Sequence, residues 1–127
     1  QYTMLCASSI GQKAASEALT RPDADVSAMR SEYLKRRNFV AQSLREIGLP
    51  CSTPAGAFYA FPRIAHLGLK SKEFALKLLN EEKVAAVPGD AFGACGEGFL
   101  RCAYATSMDN LKEAMVRLGR FVGKLKR

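Results

Sequence analysis

Gly48-Leu49-Pro50-Cys51-Ser52-Thr53-Pro54-Ala55-Gly56-Ala57-Phe58-Tyr59-Ala60-Phe61-Pro62 is the stretch in which the hydrophobic period of the chain changes. Upstream, apolar side chains recur three, four or seven residues apart at Val26, Met29, Tyr33, Val40, Leu44 and Ile47. That is one stripe of a long amphipathic helix starting near Asp23. Gly48 supplies a left-handed cap, and Pro50, which has no N–H, prevents the helix from continuing. Downstream, Ala57 to Phe61 is short, aromatic-rich and bracketed by Pro54, Gly56 and Pro62, which reads as a strand. Cys51 to Thr53 is expected as a short extended piece before it.

Working outward, Ser8 to Leu19 is rich in good helix formers and Pro22 ends that segment. Ser71 is placed to cap a helix carrying Phe74, Ala75, Leu78 and Leu79 on one side. Val84 to Val87 reads as a second strand, stopped by Pro88-Gly89. Residues Gly89 to Gly98 form a loop with glycines at 89, 93, 96 and 98, and Phe99 to Ala105 form a third strand. Ser107 then caps a terminal helix whose core face is Leu111, Ala114, Met115, Leu118, Val122 and Leu125. The order predicts an α+β fold in one domain spanning 1–127. A small antiparallel or mixed sheet of three to four short strands packs against helices, two of them long.

With 127 residues, 48% of them hydrophobic, the chain is long enough to bury a core. It has no apolar run near the roughly 20 residues that cross a bilayer, and its first residues carry neither a basic leader nor a long apolar stretch. Gln1 in place of an initiator Met is expected of a fragment. Cys6, Cys51, Cys95 and Cys102 are too sparse for a disulfide framework, so free thiols and a reducing, cytoplasmic setting are expected. No metal is expected, because His66 is the only histidine and ligand spacing is absent. The net charge of +7 raises nucleic-acid binding, but the clusters Arg36-Arg37 and Lys124-Leu125-Lys126-Arg127 fall on helical segments, where such residues usually cover a solvated face.

Arg101 stands out chemically. Alternation through Phe99-Leu100-Arg101-Cys102-Ala103-Tyr104-Ala105 puts Phe99, Arg101 and Ala103 on one face and Leu100, Cys102 and Tyr104 on the other. Apolar residues on both faces predict a largely buried strand, and a buried guanidinium needs an anionic or hydrogen-bonding partner. Its planar fork suits a carboxylate bidentately, so one reading is a carboxylate clamp for a ligand. The other is a structural pair with Glu97 or Asp90, or an edge strand facing water. The glycine-rich loop carries two acidic groups and leads into a strand, which argues against a phosphate cradle. It is expected to shape a pocket rim, with Gly89, Asp90, Phe92 and Gly93 at the edge. Phe58 and Tyr59 are read as packing. The inventory holds no complete catalytic set.

Three motifs in order, Thr53-Pro54-Ala55-Gly56-Ala57-Phe58-Tyr59-Ala60-Phe61-Pro62, Val87-Pro88-Gly89-Asp90-Ala91-Phe92-Gly93 and Gly96-Glu97-Gly98-Phe99-Leu100-Arg101-Cys102-Ala103-Tyr104-Ala105, carry a resemblance. The chain resembles the C-terminal small domain of class I/II pyridoxal-phosphate-dependent aminotransferases, the fold-type-I enzymes related to aspartate aminotransferase. The resemblance implies that Arg101 binds the α-carboxylate of an amino-acid or 2-oxo-acid substrate, and that the Pro88–Gly98 stretch moves with the small domain near the site entrance. It implies pyridoxal 5'-phosphate in the full-length protein, held by a large domain outside this chain, and a homodimer. No cofactor-binding or catalytic residue is assigned within 1–127, and the fragment alone is expected to be inactive. A non-transaminating lyase or synthase of the same fold, or a freestanding basic interaction module, are the alternatives.

Overall fold

The computed structural model describes residues 6–20 and 24–126. The chain falls into two compact units, residues 1–30 and 31–127. In the first, α1 (Ser9–Thr20) opens at Ser8, whose Oγ accepts the Gly11 N–H at 3.2 Å. It buries no side chain, and Ile10 and Leu19 stay exposed. The long helix, α2 (Ala24–Ile47), has the expected extent, although Asp23 lies outside the described residues. Its apolar stripe is only partly covered. Val40 and Leu44 are buried and Tyr33 and Ile47 half-buried, whereas Val26 and Met29 are each 57% exposed. Periodicity identifies the face that can be buried; it does not supply what covers it.

The end of α2 follows from its sequence. Gly48 adopts φ +87°, its N–H bonds to the Arg45 carbonyl at 2.9 Å, and the Leu49 N–H bonds to the Leu44 carbonyl at 2.8 Å. This is a complete Schellman motif, with Leu44 and Leu49 as its buried apolar contact. Lys126 Nζ donates to the Ile47 carbonyl at 3.2 Å and His66 Nε2 lies 3.1 Å from the Gly48 carbonyl oxygen, so the last carbonyls of the helix have partners.

Three strands, β1 (Tyr59–Ala60), β2 (Val87–Pro88) and β3 (Leu100–Ala103), form one antiparallel sheet in the order β1-β3-β2. All three are shorter than their sequence patterns. Ala57 sits at φ +55° in a turn, which stops β1 from reaching back to it, and 51–53 is irregular. Val84 to Ala86 is not strand. The register with β3, Val87 opposite Arg101 and Pro88 opposite Leu100, moves β2 onto the proline. A proline is tolerated there because β2 is an edge strand. Tyr104 lies beyond the end of β3 and is buried; its N–H bonds to the Phe58 carbonyl at 2.9 Å and its hydroxyl donates to the Ala57 carbonyl at 3.1 Å. Both bonds hold the turn that leads into β1.

On the core side lie α3 (Ser71–Glu82) and α4 (Met108–Leu125). Phe74, Ala75 and Leu78 are buried as expected, but Leu79 is 43% exposed because it faces away from the sheet. Ser107 caps α4, its Oγ accepting the Asn110 N–H at 3.3 Å, and Phe121 joins the expected face by meeting Phe74 edge-on at 5.1 Å. Ser71 does not cap α3. Lys70 holds that position without a side-chain bond, and the Ser71 N–H instead donates to Glu97 Oε1 at 2.8 Å, while Ser71 Oγ accepts the Gly98 N–H at 2.8 Å. A carboxylate from 26 residues downstream therefore satisfies the helix N-terminus.

Glu82, 6% exposed, clasps the two helices: Lys124 Nζ lies 2.7 Å from its Oε1 and Arg120 Nε 2.9 Å from its Oε2. The hydrogen bond from Lys124 holds the Glu82 carboxyl below the ordinary carboxylate value of 4.5. A lowered folded value contributes stability above the unfolded value and loses it as pH falls through the folded one. Urea melts should therefore show Glu82→Gln less stable than wild type at pH 7, the gap closing as pH falls below the ordinary carboxylate range. A gap that stays constant down to pH 2 would mean that the carboxylate charge is irrelevant.

Candidate functional site

Arg101 occupies the middle strand of the sheet, which removes the edge-strand reading. The alternation holds: Leu100 and Tyr104 are buried on the core side, while Ala103 is exposed and Arg101 half-buried. The strand is thus open on one face, contrary to the expectation that both are covered. Neither expected carboxylate pairs with the guanidinium. Glu97 is engaged at the N-terminus of α3 and accepts the Gly98 N–H at 3.2 Å, and its bond to the Ser71 N–H is the main cause of its lowered pKa. Asp90 is exposed. Among the described residues Arg101 has no ion-pair partner.

What meets the guanidinium instead is aromatic. Its Cζ lies 4.4 Å from the ring centroid of Tyr59 and 4.4 Å from that of Phe92. Tyr59 comes from β1, on one side of β3, and Phe92 from the turn that follows β2, on the other. Phe92 is one of the four rim residues expected from the sequence; Tyr59, expected only to pack, packs on Phe58 and also lies against the guanidinium. The signal lay in the register, since Tyr59 pairs with Ala103 and shares the open face with Arg101. A shallow depression of about 170 Å³ lined by Ala85, Ala86, Val87, Arg101 and Ala103 opens beside the guanidinium.

The rim loop is two short 3-10 turns, Gly89–Phe92 and Ala94–Gly96, and it is tight rather than slack. The Gly89 N–H bonds to the Phe99 carbonyl at 2.9 Å and the Gly93 N–H to the Asp90 carbonyl at 3.1 Å. Gly89 and Gly96 are both buried and pass so closely that a Cβ on either would strike the carbonyl oxygen of the other. Of the four rim residues, Phe92 touches Arg101, while Gly89 and Gly93 fix the turn that carries it.

A larger cavity of about 380 Å³ lies between the sheet, α3 and α4, lined by Leu78, Cys102, Leu111, Met115 and Leu118 among others. Its rim charges Glu113 and Arg117 pair with each other at 2.7 Å. Cys102 faces this apolar side, and burial pushes its thiol up to about 12, so it offers no thiolate at neutral pH. Among the described residues, which leave out Arg127, the basic clusters are tied to the chain itself. Arg36 contacts Glu32 at 3.4 Å, Arg37 donates to the Pro54 carbonyl at 3.3 Å, and Lys124 joins Glu82. Every lysine of the chain is exposed, and none approaches Arg101 closely enough to line its depression.

Over residues 1–118 the sequence matches the family described as aminotransferase class I and II. An aspartate aminotransferase of Pyrococcus abyssi is 50% identical over 119 residues, covering 92% of this chain and 31% of that protein. An aromatic-amino-acid aminotransferase of Thermococcus litoralis is 49% identical, with the same two shares. The crystal structure of an aromatic aminotransferase from Pyrococcus horikoshii superposes with a TM-score of 0.87 at 48% identity, over 91% of this chain and 31% of that one. The chain thus spans about a third of the length of the curated relatives it matches. On the extent of that match and the agreement of fold, this chain belongs to the class I and II aminotransferases.

Proposed function

We propose that this chain is the small, C-terminal domain of a pyridoxal-phosphate-dependent enzyme that moves an amino group between an amino acid and a 2-oxo acid, and that Arg101 binds the α-carboxylate of both. The observation that carries this is an arginine on the middle strand, half-buried, open on one face and without a carboxylate partner among the described residues. A guanidinium in that setting has its fork of N–H donors available for an anion, and a bidentate carboxylate fits it. Pyridoxal phosphate supplies the chemistry of the amino group when bound. The residues present here do not fit that cofactor, because the chain's lysines are all exposed and away from the depression beside Arg101. The remaining two thirds of the protein would hold it.

The test is product identity on the full-length protein loaded with pyridoxal phosphate. With an L-amino acid and 2-oxoglutarate it should yield glutamate and the matching 2-oxo acid in equal amounts, and no reaction without the acceptor beyond one equivalent per site. Sustained release of ammonia or carbon dioxide without an acceptor would assign the protein to eliminating or decarboxylating relatives of the same fold and overturn the transfer reading.

A further inference from the structure

We propose that Tyr59 and Phe92 are positioning residues for Arg101, holding its guanidinium between two ring faces so that the N–H fork stays free for a ligand carboxylate. This rests on the carboxylate reading of Arg101. An arginine side chain loses considerable rotamer freedom when it is fixed, and its fork can be held bidentately by a carboxylate or its plane stacked on aromatic faces. Arg101 has no carboxylate partner among the described residues, yet its Cζ lies 4.4 Å from two ring centroids, well inside the range of about 6 Å for a cation over a ring.

The chemistry of the two kinds of partner differs. A protein carboxylate would satisfy the guanidinium N–H groups in their own plane, and an incoming substrate would have to displace it. A ring attracts the cation through its face and takes up no N–H. Two rings can therefore fix the guanidinium without competing for the donors that the substrate needs.

The rings are themselves fixed. Tyr59 packs on Phe58 with centroids 4.6 Å apart, and Phe92 meets Phe61 at 6.2 Å, which in turn stacks on Phe99 at 5.5 Å. Tyr59 and Phe92 remain 36% and 49% exposed, so core packing does not account for them.

The experiment is steady-state kinetics on the full-length holoenzyme, with whichever of the common L-amino acids it turns over fastest. Phe92→Leu and Tyr59→Leu should each lower kcat/KM by about three- to tenfold, mainly through KM. Phe92→Tyr and Tyr59→Phe, which keep a ring, should stay within about twofold of wild type. On an Arg101→Ala background the same leucine changes should cost less than about twofold, because there is no guanidinium left to position. Equal losses in both backgrounds would show that the rings support only the fold, and would overturn the proposal. So would leucine variants that match wild type while Arg101→Ala alone is severely impaired. If Arg101→Ala itself is as active as wild type, the carboxylate reading falls and the positioning role falls with it.

Discussion

Replacing Arg101 by Ala in the full-length enzyme is expected to lower kcat/KM for amino-acid substrates by about 10²- to 10⁴-fold. Each hydrogen bond to a charged group contributes on the order of 1.5–3 kcal/mol, the fork makes two, and about 1.4 kcal/mol corresponds to a factor of ten. Arg101→Lys keeps the charge but not the planar fork, so it should recover only part of the loss. The fold should survive both changes. The side chain lies on the open face of the sheet, and Leu100 and Tyr104, which anchor the strand, point the other way. The defect should be confined to substrates with an α-carboxylate: amines lacking that group should be turned over, however slowly, at the same rate by variant and wild type. An Arg101→Ala enzyme with kcat/KM within about threefold of wild type would remove the clamp.

The largest effect on stability is expected at Gly96. A Cβ built there meets the Gly89 carbonyl oxygen, lies 2.6 Å from the Gly89 carbonyl carbon and 3.3 Å from the Asp90 nitrogen. All of these are backbone atoms, so no rotamer change can relieve the overlap. Gly89 faces the reciprocal problem and also comes 2.8 Å from the Phe99 carbonyl oxygen. Gly96→Ala should cost about 3 kcal/mol or more and lower Tm by about 10 °C. Gly56→Ala is the control. Nothing lies within 4 Å of a Cβ there and its φ is not positive, so it should be neutral or stabilise by up to about 1 kcal/mol. Thermal melts in which the two variants match would show that the loop can open at little cost. Because the Gly89–Phe92 turn carries a ring that touches Arg101, the Gly96 variant should also lose catalytic efficiency well below its melting range.

Features set by local chemistry were readable along the chain. Gly48 with Pro50 predicted the Schellman end of α2, Ser107 the cap of α4, and alternation the two faces of β3. Arg101 stands out in the sequence as one charged residue in an apolar strand, but the burial expected of it is only partial, because β3 is open on that face. What failed depends on distant residues. Val84 to Val87 has strand propensity, but pairing with β3 decides where β2 lies. Ser71 has the chemistry of a cap, but a carboxylate at Glu97 reaches the helix end first. Tyr59 could not be placed beside Arg101 without the register between β1 and β3. That Glu97 and Asp90 do not pair with Arg101 was equally out of reach of periodicity.

The strand order β1-β3-β2 also bears on how the chain is made. β1 and β2 do not pair with each other; each pairs only with β3, which follows both in the sequence. During synthesis from the N-terminus, the aromatic segment Phe58 to Phe61 emerges with no strand to join and must wait through some forty further residues for Leu100 to Ala103. Only then can the sheet form, and with it the site, since Arg101 and both of its rings meet across those pairings. A nascent chain stalled before residue 100 would therefore display unpaired aromatic strand, the kind of surface that chaperones bind.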